Sequence, residues 1–382
     1  MSSQVGKETI YKQDFQQSLE SANQPEWLKD LREKAFAYFT ENGFPTPKDE
    51  EWKYTNVASL PISNFRIQIL NSRNENENAE FLKEFDYERN GFTALNLAFA
   101  DVVLVKIPKE TSVEKPIEFN FKADENTANF PHVIVVAEAG SKATIIENYE
   151  SQAQSFTNSA MQIFVEDNAN LTHYRVQKES AESYHIGTSE ITLKRGSYYN
   201  STNINLGGKL SRHDIHLKFT ATGGECFVDG LYMLNGNQHH DTHSMIDHAL
   251  PNCVSHQNYK GVLNDKSHGV FNGKVFVREN ASGTDAQQSN KNLLLSNDAR
   301  VDTKPQLEIY NDDVKCAHGA TVGQLEEEEL FYLLSRGLNE SLARNLLTYG
   351  FAEEIVNKIE IESIKKQLDE AVLNRLNANL EM

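Results

Sequence analysis

Turn residues return at a nearly constant interval through the middle of this chain, and that interval restricts its fold more than any other feature. Gly140, Asn168, Gly196 and Gly223 each precede a run of alternating apolar and polar residues, and they lie 27 or 28 residues apart. This spacing suits a solenoid whose coils each contain two strand passes. A β-sandwich also has many short strands, but it gives no reason for a fixed interval. The sequence therefore predicts a parallel β-helix.

Helical patterns flank this β region on both sides. Apolar residues recur every three or four positions from residue 14 to 44, and Gly43 is expected to end that helix. Short alternating runs rich in Val, Ile, Thr, Phe and Tyr follow. We predict a mainly β protein with an N-terminal helical region at 1–93, a parallel β-helix core at 94–322 and a C-terminal helical region at 323–382.

The C-terminal region contains three helical patterns after Gln324. Gly337 and Gly350 stand where the first two are expected to end. In the last pattern six apolar residues form one stripe: Ile361, Ile364, Leu368, Val372, Leu376 and Leu380. We expect this stripe to pack internally, and an exposed groove for a partner is the other interpretation.

Composition excludes several classes of protein. The net charge of -18 and the lack of a long Lys/Arg run argue against nucleic-acid binding, which needs clustered cations. Three cysteines are too few and too unevenly placed for a disulfide framework. The first residues lack the apolar segment of a secretion signal, and no apolar stretch is long enough to cross a bilayer. We expect a cytoplasmic protein with reduced thiols and no membrane partner.

The segment KDEEWKYTNVASLPI places Trp52 and Tyr54 among charged residues. An aromatic anchor that packs the N-terminal region onto the main body is the favoured interpretation, and a recognition loop is the alternative.

A histidine-rich run, His239 to His248, offers imidazole and carboxylate groups that suit zinc or iron. Successive strand side chains face opposite ways, so His239, Asp241 and His243 are expected on one face, and His240 and His248 can lie on the other. Hydrogen bonding and packing are the favoured roles. A stand-alone metal-binding solenoid that uses this segment is the alternative function.

Cys316 and His318 are two residues apart and would share one face of a strand, where they could hold a soft metal. Two ligands do not complete a tetrahedral site, and a buried cysteine beside an ordinary histidine is the competing interpretation. The chain has no phosphate-binding loop, no G-x-S-x-G elbow and no CxxC pair. We therefore expect neither nucleotide binding by such a loop nor nucleophilic or dithiol catalysis.

The stretch from Gln287, QQSNKNLLLSNDARVDTKPQLEIYNDDVKCAHGATVGQLEEEELFYLLSRGL, closely resembles the C-terminal half of SufB and SufD proteins. The resemblance extends back through QNYKGVLNDKSHGVFNGKV and forward through ESLARNLLTYGF, with weaker agreement at FPTPKDEEWKYTNV and FADVVLVKIP. SufB proteins typically have His-Glu-Ala where this chain has His318, Gly319 and Ala320, so the sequence is more similar to SufD.

The resemblance implies a right-handed parallel β-helix with helical ends, which serves as a non-catalytic subunit in iron-sulfur cluster assembly. It also implies a complex with a SufB-like protein, paired through the last strands, and with a SufC-like ABC ATPase, docked on the C-terminal helices. Alone, the chain could form a homodimer. A transient cluster or iron shared with SufB would take ligands from His318 and Cys316. The residues expected to shape the ATPase dock are Leu330, Phe331, Leu334, Arg336 and Leu346.

A polysaccharide-active enzyme is a further alternative, because many β-solenoids bind polysaccharide along one face. It requires secretion and a cluster of catalytic carboxylates or basic residues on one ladder, and the first residues do not favour secretion.

Overall fold

The four turn residues found in the sequence stack directly on one another. In the computed structural model Gly140, Asn168, Gly196 and Gly223 all have positive φ, between 57° and 72°, a conformation that glycine and asparagine adopt most readily. The N–H of Gly140 donates to the carbonyl of Asp167 in the next coil's turn, at 2.9 Å. The turns thus form a hydrogen-bonded ladder, and the strands between them fall into register.

The structure describes residues 10–21, 24–67 and 79–375. The strands are β1 Arg66–Ile67, β2 Asp101–Ile107, β3 Ile117–Ala123, β4 Thr127–Asn129, β5 Pro131–Ala137, β6 Lys142–Ser151, β7 Phe156–Val165, β8 Asn170–Lys178, β9 Tyr184–Leu193, β10 Tyr198–Asn205, β11 Leu210–Phe219, β12 Glu225–Leu234, β13 His239–His248, β14 Val254–Leu263, β15 His268–Val277, β16 Thr284–Leu294, β17 Arg300–Ile309 and β18 Val314–Gly323. The helices are α1 Ile10–Ser21, α2 Glu26–Asn42, α3 Ala79–Leu82, α4 Gly91–Phe99, α5 Glu327–Ser335, α6 Glu340–Val356 and α7 Glu362–Arg375. Short 3₁₀ turns occupy Glu50–Trp52, Ile62–Asn64 and Tyr87–Arg89.

From β6 onward the strands alternate between two parallel sheets, one strand per sheet in each coil. Sheet A contains β1, β2, β4, β5 and the odd-numbered strands β7 to β17, and sheet B contains β3 and the even-numbered strands β6 to β18. Asn170 pairs with Tyr198, and Tyr198 pairs with Glu225, so equivalent positions lie 28 and 27 residues apart. The predicted mainly β, parallel-solenoid fold is confirmed.

The N-terminal helices pack on the outer face of sheet A through aromatic residues. Trp52, Phe92 and Phe156 belong to one buried cluster there. The Asn90 side chain accepts from the N–H of Thr93, and Thr93 accepts from the N–H of Asn90, so a capping box begins α4. Residues 94–99, which we placed in the β region, are therefore helical, and the first long strand begins at Asp101.

The C-terminal helices cover the outer face of sheet B. Leu368 and Val372 of α7 are buried in a cluster with Leu231 and other residues of sheet B, which agrees with the internal interpretation of the last apolar stripe. Leu376 and Leu380 lie outside the described residues. Gly337 follows α5 with a φ of 92°.

The prediction that a helix ends at Gly350 is wrong, because α6 continues through it to Val356. The packing of Ala352 and Ile355 on sheet B favours the helical path beyond the glycine. Among the residues described, no helix is long and apolar enough to span a membrane.

Candidate functional site

At its C-terminal end the described solenoid has two edge strands, which differ in how readily another chain could pair with them. Within the described residues β18 pairs with β16 alone, and β17 pairs with β15 alone. β17 contains Pro305, which lacks an N–H group, whereas β18 contains no proline. An edge strand presents unpaired backbone groups to another chain. β18 is therefore the more open edge.

Cys316 and His318 share one face of β18. Their register partners in β16, Ala286 and Gln288, are buried inside the solenoid. In the part of the chain that the structure describes, no further coil covers β18, so His318 is exposed and Cys316 is half-buried. Burial raises the pKa of the Cys316 thiol, which disfavours a free thiolate at neutral pH.

These two residues do not complete a metal site by themselves. Across residues 10–21, 24–67 and 79–375, no group of three or more His, Cys, Asp or Glu side chains is arranged to hold a metal ion. The other two cysteines, Cys226 and Cys253, are buried in the solenoid core. Within the described residues, no other side chain is therefore in place to complete a tetrahedral site with Cys316 and His318.

The five residues expected to shape the ATPase dock, which we call the dock residues, lie on α5, on the first half of α6 and just after α5. Phe331 is 73% exposed, and Leu334 and Leu346 are 38% and 40% exposed. Leu330 is half-buried and Arg336 is exposed. Sequence reasoning missed Tyr332, which is 55% exposed and lies under the Arg336 guanidinium at 5.0 Å. These side chains are apolar or aromatic apart from one cation, a composition typical of interfaces.

The histidine-rich segment divides between the two faces of β13. On the outer face, His239 bonds to Thr55 at 2.8 Å, and His243 lies 3.1 Å from a carboxylate oxygen of Asp241. On the inner face, His240 bonds to Ser211 and His248 to Ser255, each at 2.8 Å. Desolvation lowers the pKa of His239 to about 4. The histidines hold neighbouring elements together, in agreement with the favoured interpretation.

A buried ion cluster lies beside these histidines, and the sequence reasoning did not find it. Arg212, which is 2% exposed, donates to Asp214 at 2.6 Å and to Asp241 at 2.8 Å. Burial alone would raise the pKa of Asp241, but the positive charges of His243 and Arg212 hold it well below its usual range. Alternation in the run SRHDIH, which places Arg212 and Asp214 on one face of β11, is the signal that could have revealed it.

The segment around Trp52 covers this cluster. The Trp52 ring is 3% exposed, with its centroid 3.8 Å from the Arg212 guanidinium. Glu51 accepts from Arg212 through its backbone carbonyl at 2.7 Å, and Glu50 pairs with Lys304 of β17 at 2.8 Å. The anchor interpretation of this segment is confirmed. A cavity of about 930 Å³ remains between it and sheet A.

Comparison with known proteins identifies relatives along most of the chain. A family model described as the SufBD core domain of the SUF system for FeS cluster assembly matches residues 119–351, and a model of the SufBD protein N-terminal region matches residues 6–84. The iron-sulfur cluster assembly protein SufD of Escherichia coli is 38% identical over 380 residues, covering 87% of this chain and 90% of that protein.

Two more relatives extend the comparison. An iron-sulfur cluster assembly SufBD family protein of Synechocystis is 36% identical over 345 residues, covering 87% of this chain and 76% of the relative. The SufD protein of Bacillus subtilis is 26% identical and covers 95% of this chain and 98% of its own length. These matches span the N-terminal helices, the solenoid and the edge strand β18.

Proposed function

This chain belongs to the SufB/SufD family of iron-sulfur cluster assembly proteins, and on that basis we propose that it is the SufD-type, non-ATPase subunit of a cytoplasmic assembly complex. In this role it pairs with a SufB-like protein and docks a SufC-like ABC ATPase. The iron-sulfur cluster is the cargo of the complex. The observation that carries the proposal is the open edge strand β18, which presents Cys316 and His318 at the uncovered end of the solenoid.

The pairing with a SufB-like protein is supported by the backbone of β18. Strand addition to an open sheet edge satisfies unpaired N–H and C=O groups and brings a partner's side chains next to those of the edge strand. Ligands from that partner would complete the coordination that Cys316 and His318 begin. Gly319 follows His318, at the position where SufB proteins typically have glutamate. In the isolated chain the same edge is available to a second copy.

The docking of an ATPase is supported by the exposed dock residues. The sequence contains no phosphate-binding loop, so a nucleotide-driven cycle would need a partner that supplies the nucleotide site. Binding and hydrolysis of ATP in that partner would shift the C-terminal helical region and open the interface at β18, where iron and sulfide are assembled. The cycle requires two stable arrangements of that interface.

Co-purification with the host's SufC-like and SufB-like proteins tests this function. Truncation after Gln324 would not test docking alone, because it would also expose Leu231 and other apolar side chains of sheet B that α6 and α7 bury. We recommend Phe331→Ser instead, with Val103→Ser as the control because Val103 is an exposed apolar residue on the distant strand β2.

We expect wild type and Val103→Ser to recover both partners, and Phe331→Ser to lose the ATPase while keeping the SufB-like protein. The variant His318→Ala should keep both partners and lower the iron content of the purified complex. Failure of the wild-type chain to recover either partner would refute the proposed function.

A further inference from the structure

A buried lysine joins the C-terminal helical region to the solenoid. Lys260 in β14 is 3% exposed, and its ammonium group donates to the Phe351 carbonyl at 3.0 Å and to the Glu354 carboxylate. The same group lies 4.4 Å from the centroid of the Phe351 ring. The hydrogen bond from Lys260 lowers the pKa of Glu354. Since a buried ammonium is costly unless it is paired, these contacts fix the position of α6 on sheet B.

Further contacts attach the same part of the helical region to neighbouring strands. Lys358 pairs with Asp229 of β12 at 2.8 Å, and the N–H of Glu360 donates to the Tyr174 hydroxyl of β8 at 3.1 Å. The side chain of Ile355 is buried against apolar residues of sheet B. Residues 351–360, which we call the clamp, are therefore held by three strands of one sheet.

The helix α6 connects the clamp to the dock. It is one continuous helix that carries the dock residue Leu346 near its middle and Glu354 near its end. Eight residues separate the two, about 12 Å along the axis. Leu346 is 40% exposed, whereas Ala352 is fully buried. If a partner displaces the N-terminal half of α6, the movement therefore acts on sheet B through the contacts of the clamp.

The clamp is also close to the edge strand. Lys260 pairs in register with Lys291 of β16, and Lys291 pairs with Thr321 of β18. Two strand spacings, about 10 Å, thus separate the backbone of β14 at Lys260 from β18. Cys316 and His318 lie on that same strand.

We propose that Lys260 is a positioning residue that couples movement of the dock to β18. The movement is transmitted along α6 and through the clamp, and it shifts the side chains of Cys316 and His318. The inference rests on the proposed function, because an ATPase bound at the dock is what moves the helix. It adds the route by which that partner regulates the cluster-assembly interface. The ammonium suits this role because the carbonyl, the carboxylate and the ring that hold it all belong to one turn of α6.

The test uses the complex of the full-length chain with its SufB-like and SufC-like partners. After co-purification, a maleimide is added with or without ATP, and modification of the peptide that contains Cys316 is followed by mass spectrometry. Lys260→Met removes the ammonium, and Glu354→Gln removes the carboxylate, which is 52% exposed and tolerant of change. Lys291→Met is the matched control, since Lys291 is the exposed neighbour of Lys260 on the same ladder.

We expect all four proteins to recover both partners, and ATP to accelerate modification of Cys316 in wild type and Lys291→Met. The acceleration should be lost in Lys260→Met and Glu354→Gln. Equal acceleration in wild type and the two clamp variants would overturn the inference, as would the absence of any ATP effect on Cys316 in wild type.

Loss of the ATPase from Lys260→Met would also overturn it, because the lysine would then only hold the dock in place. If Lys260→Met does not fold, Glu354→Gln decides the outcome. Failure of the proposed function is distinguishable, because it is seen in wild type at the co-purification step, before any nucleotide is added.

Discussion

Replacing Asp241 by asparagine tests whether the buried ion cluster holds the N-terminal region on the solenoid. Asp241 is fully buried, and its carboxylate accepts from Thr55 at 2.5 Å and from Arg212 at 2.8 Å. Asparagine keeps the size of the side chain and removes its charge. The variant would leave the buried guanidinium with one carboxylate, that of Asp214, instead of two.

The expected cost follows from the burial of the pair. Removing one partner of a buried ion pair costs about 3–5 kcal/mol, because it leaves a charge in a dry environment without compensation. Since Arg212 keeps Asp214, we expect the lower end, about 3 kcal/mol. Asp247→Asn is the matched control on the same strand. Asp247 pairs at 2.7 Å with Arg278, whose side chain is 54% exposed, and such a pair contributes roughly 0–1 kcal/mol.

Equilibrium unfolding in urea, followed by circular dichroism and tryptophan fluorescence, measures both variants. The Trp52 ring lies on the Arg212 guanidinium, and the other tryptophan, Trp27, packs against the same N-terminal cluster. Tryptophan fluorescence therefore reports the unfolding of the N-terminal region. We expect Asp241→Asn to lose the fluorescence signal at a lower urea concentration than Asp247→Asn. A difference of less than about 1 kcal/mol between the two unfolding free energies would refute the reasoning, because ordinary surface substitutions already reach half that size.

Protonation, thiol reactivity and core packing supply three more tests. Burial lowers the pKa of His132 to about 4, so only the unfolded state takes up a proton near pH 6.5. Stability is then lost as the pH falls from 6.5 towards 4, and His132→Gln should flatten that part of a plot of melting temperature against pH. A maleimide should modify Cys316 in the native protein and reach the other two cysteines, which are fully buried, only after unfolding; equal rates at all three would contradict the structure. Gly230→Ala should cost about 1–3 kcal/mol, because the added Cβ would overlap the Tyr259 ring. Gly319→Ala should leave the melting temperature nearly unchanged, since nothing in the described residues lies within 4 Å of the added Cβ.

The solenoid could be predicted because its determinants are local. Glycine or asparagine, which adopt positive φ readily, stands at each of the four stacked turns from Gly140 to Gly223, and a run of alternating side chains follows each one. Both features are visible in the sequence. The same argument separated His239 from His240, since alternation along a strand needs no knowledge of distant residues. The start of α4 at Asn90 also depends on local residues, those of the capping box. It was missed because the apolar stretch that follows has the composition of a strand.

Alternation in β11 indicates that Arg212 and Asp214 share one face, but the burial of this ion cluster could not be predicted, because its cover comes from far along the chain. Glu51 and Arg212 are 161 residues apart, and alternation alone would place a charged residue of a sheet's outer face in solvent. The aromatic anchor at Trp52 was predicted, but the strand on which it lies was not. Alternating charged residues on one face of a strand therefore do not predict burial by themselves. They do so only together with a second segment, such as the one around Trp52, that could pack over them.

The same reasoning applies to the face of β18 that carries His318. Register places Gln257, Gln288 and His318 on one ladder of sheet B. The two glutamines are buried inside the solenoid, and Gln288 donates to Gln257 at 2.7 Å. His318 occupies the next position of this inward ladder, yet it is exposed because the described chain adds no further coil over it. We propose that the SufB-like partner covers this position, which is interior in the two preceding coils of the ladder. The dock residues on α5 and α6 do not lie on this strand. On the proposed function, the edge of β18 and the dock therefore serve two separate partners.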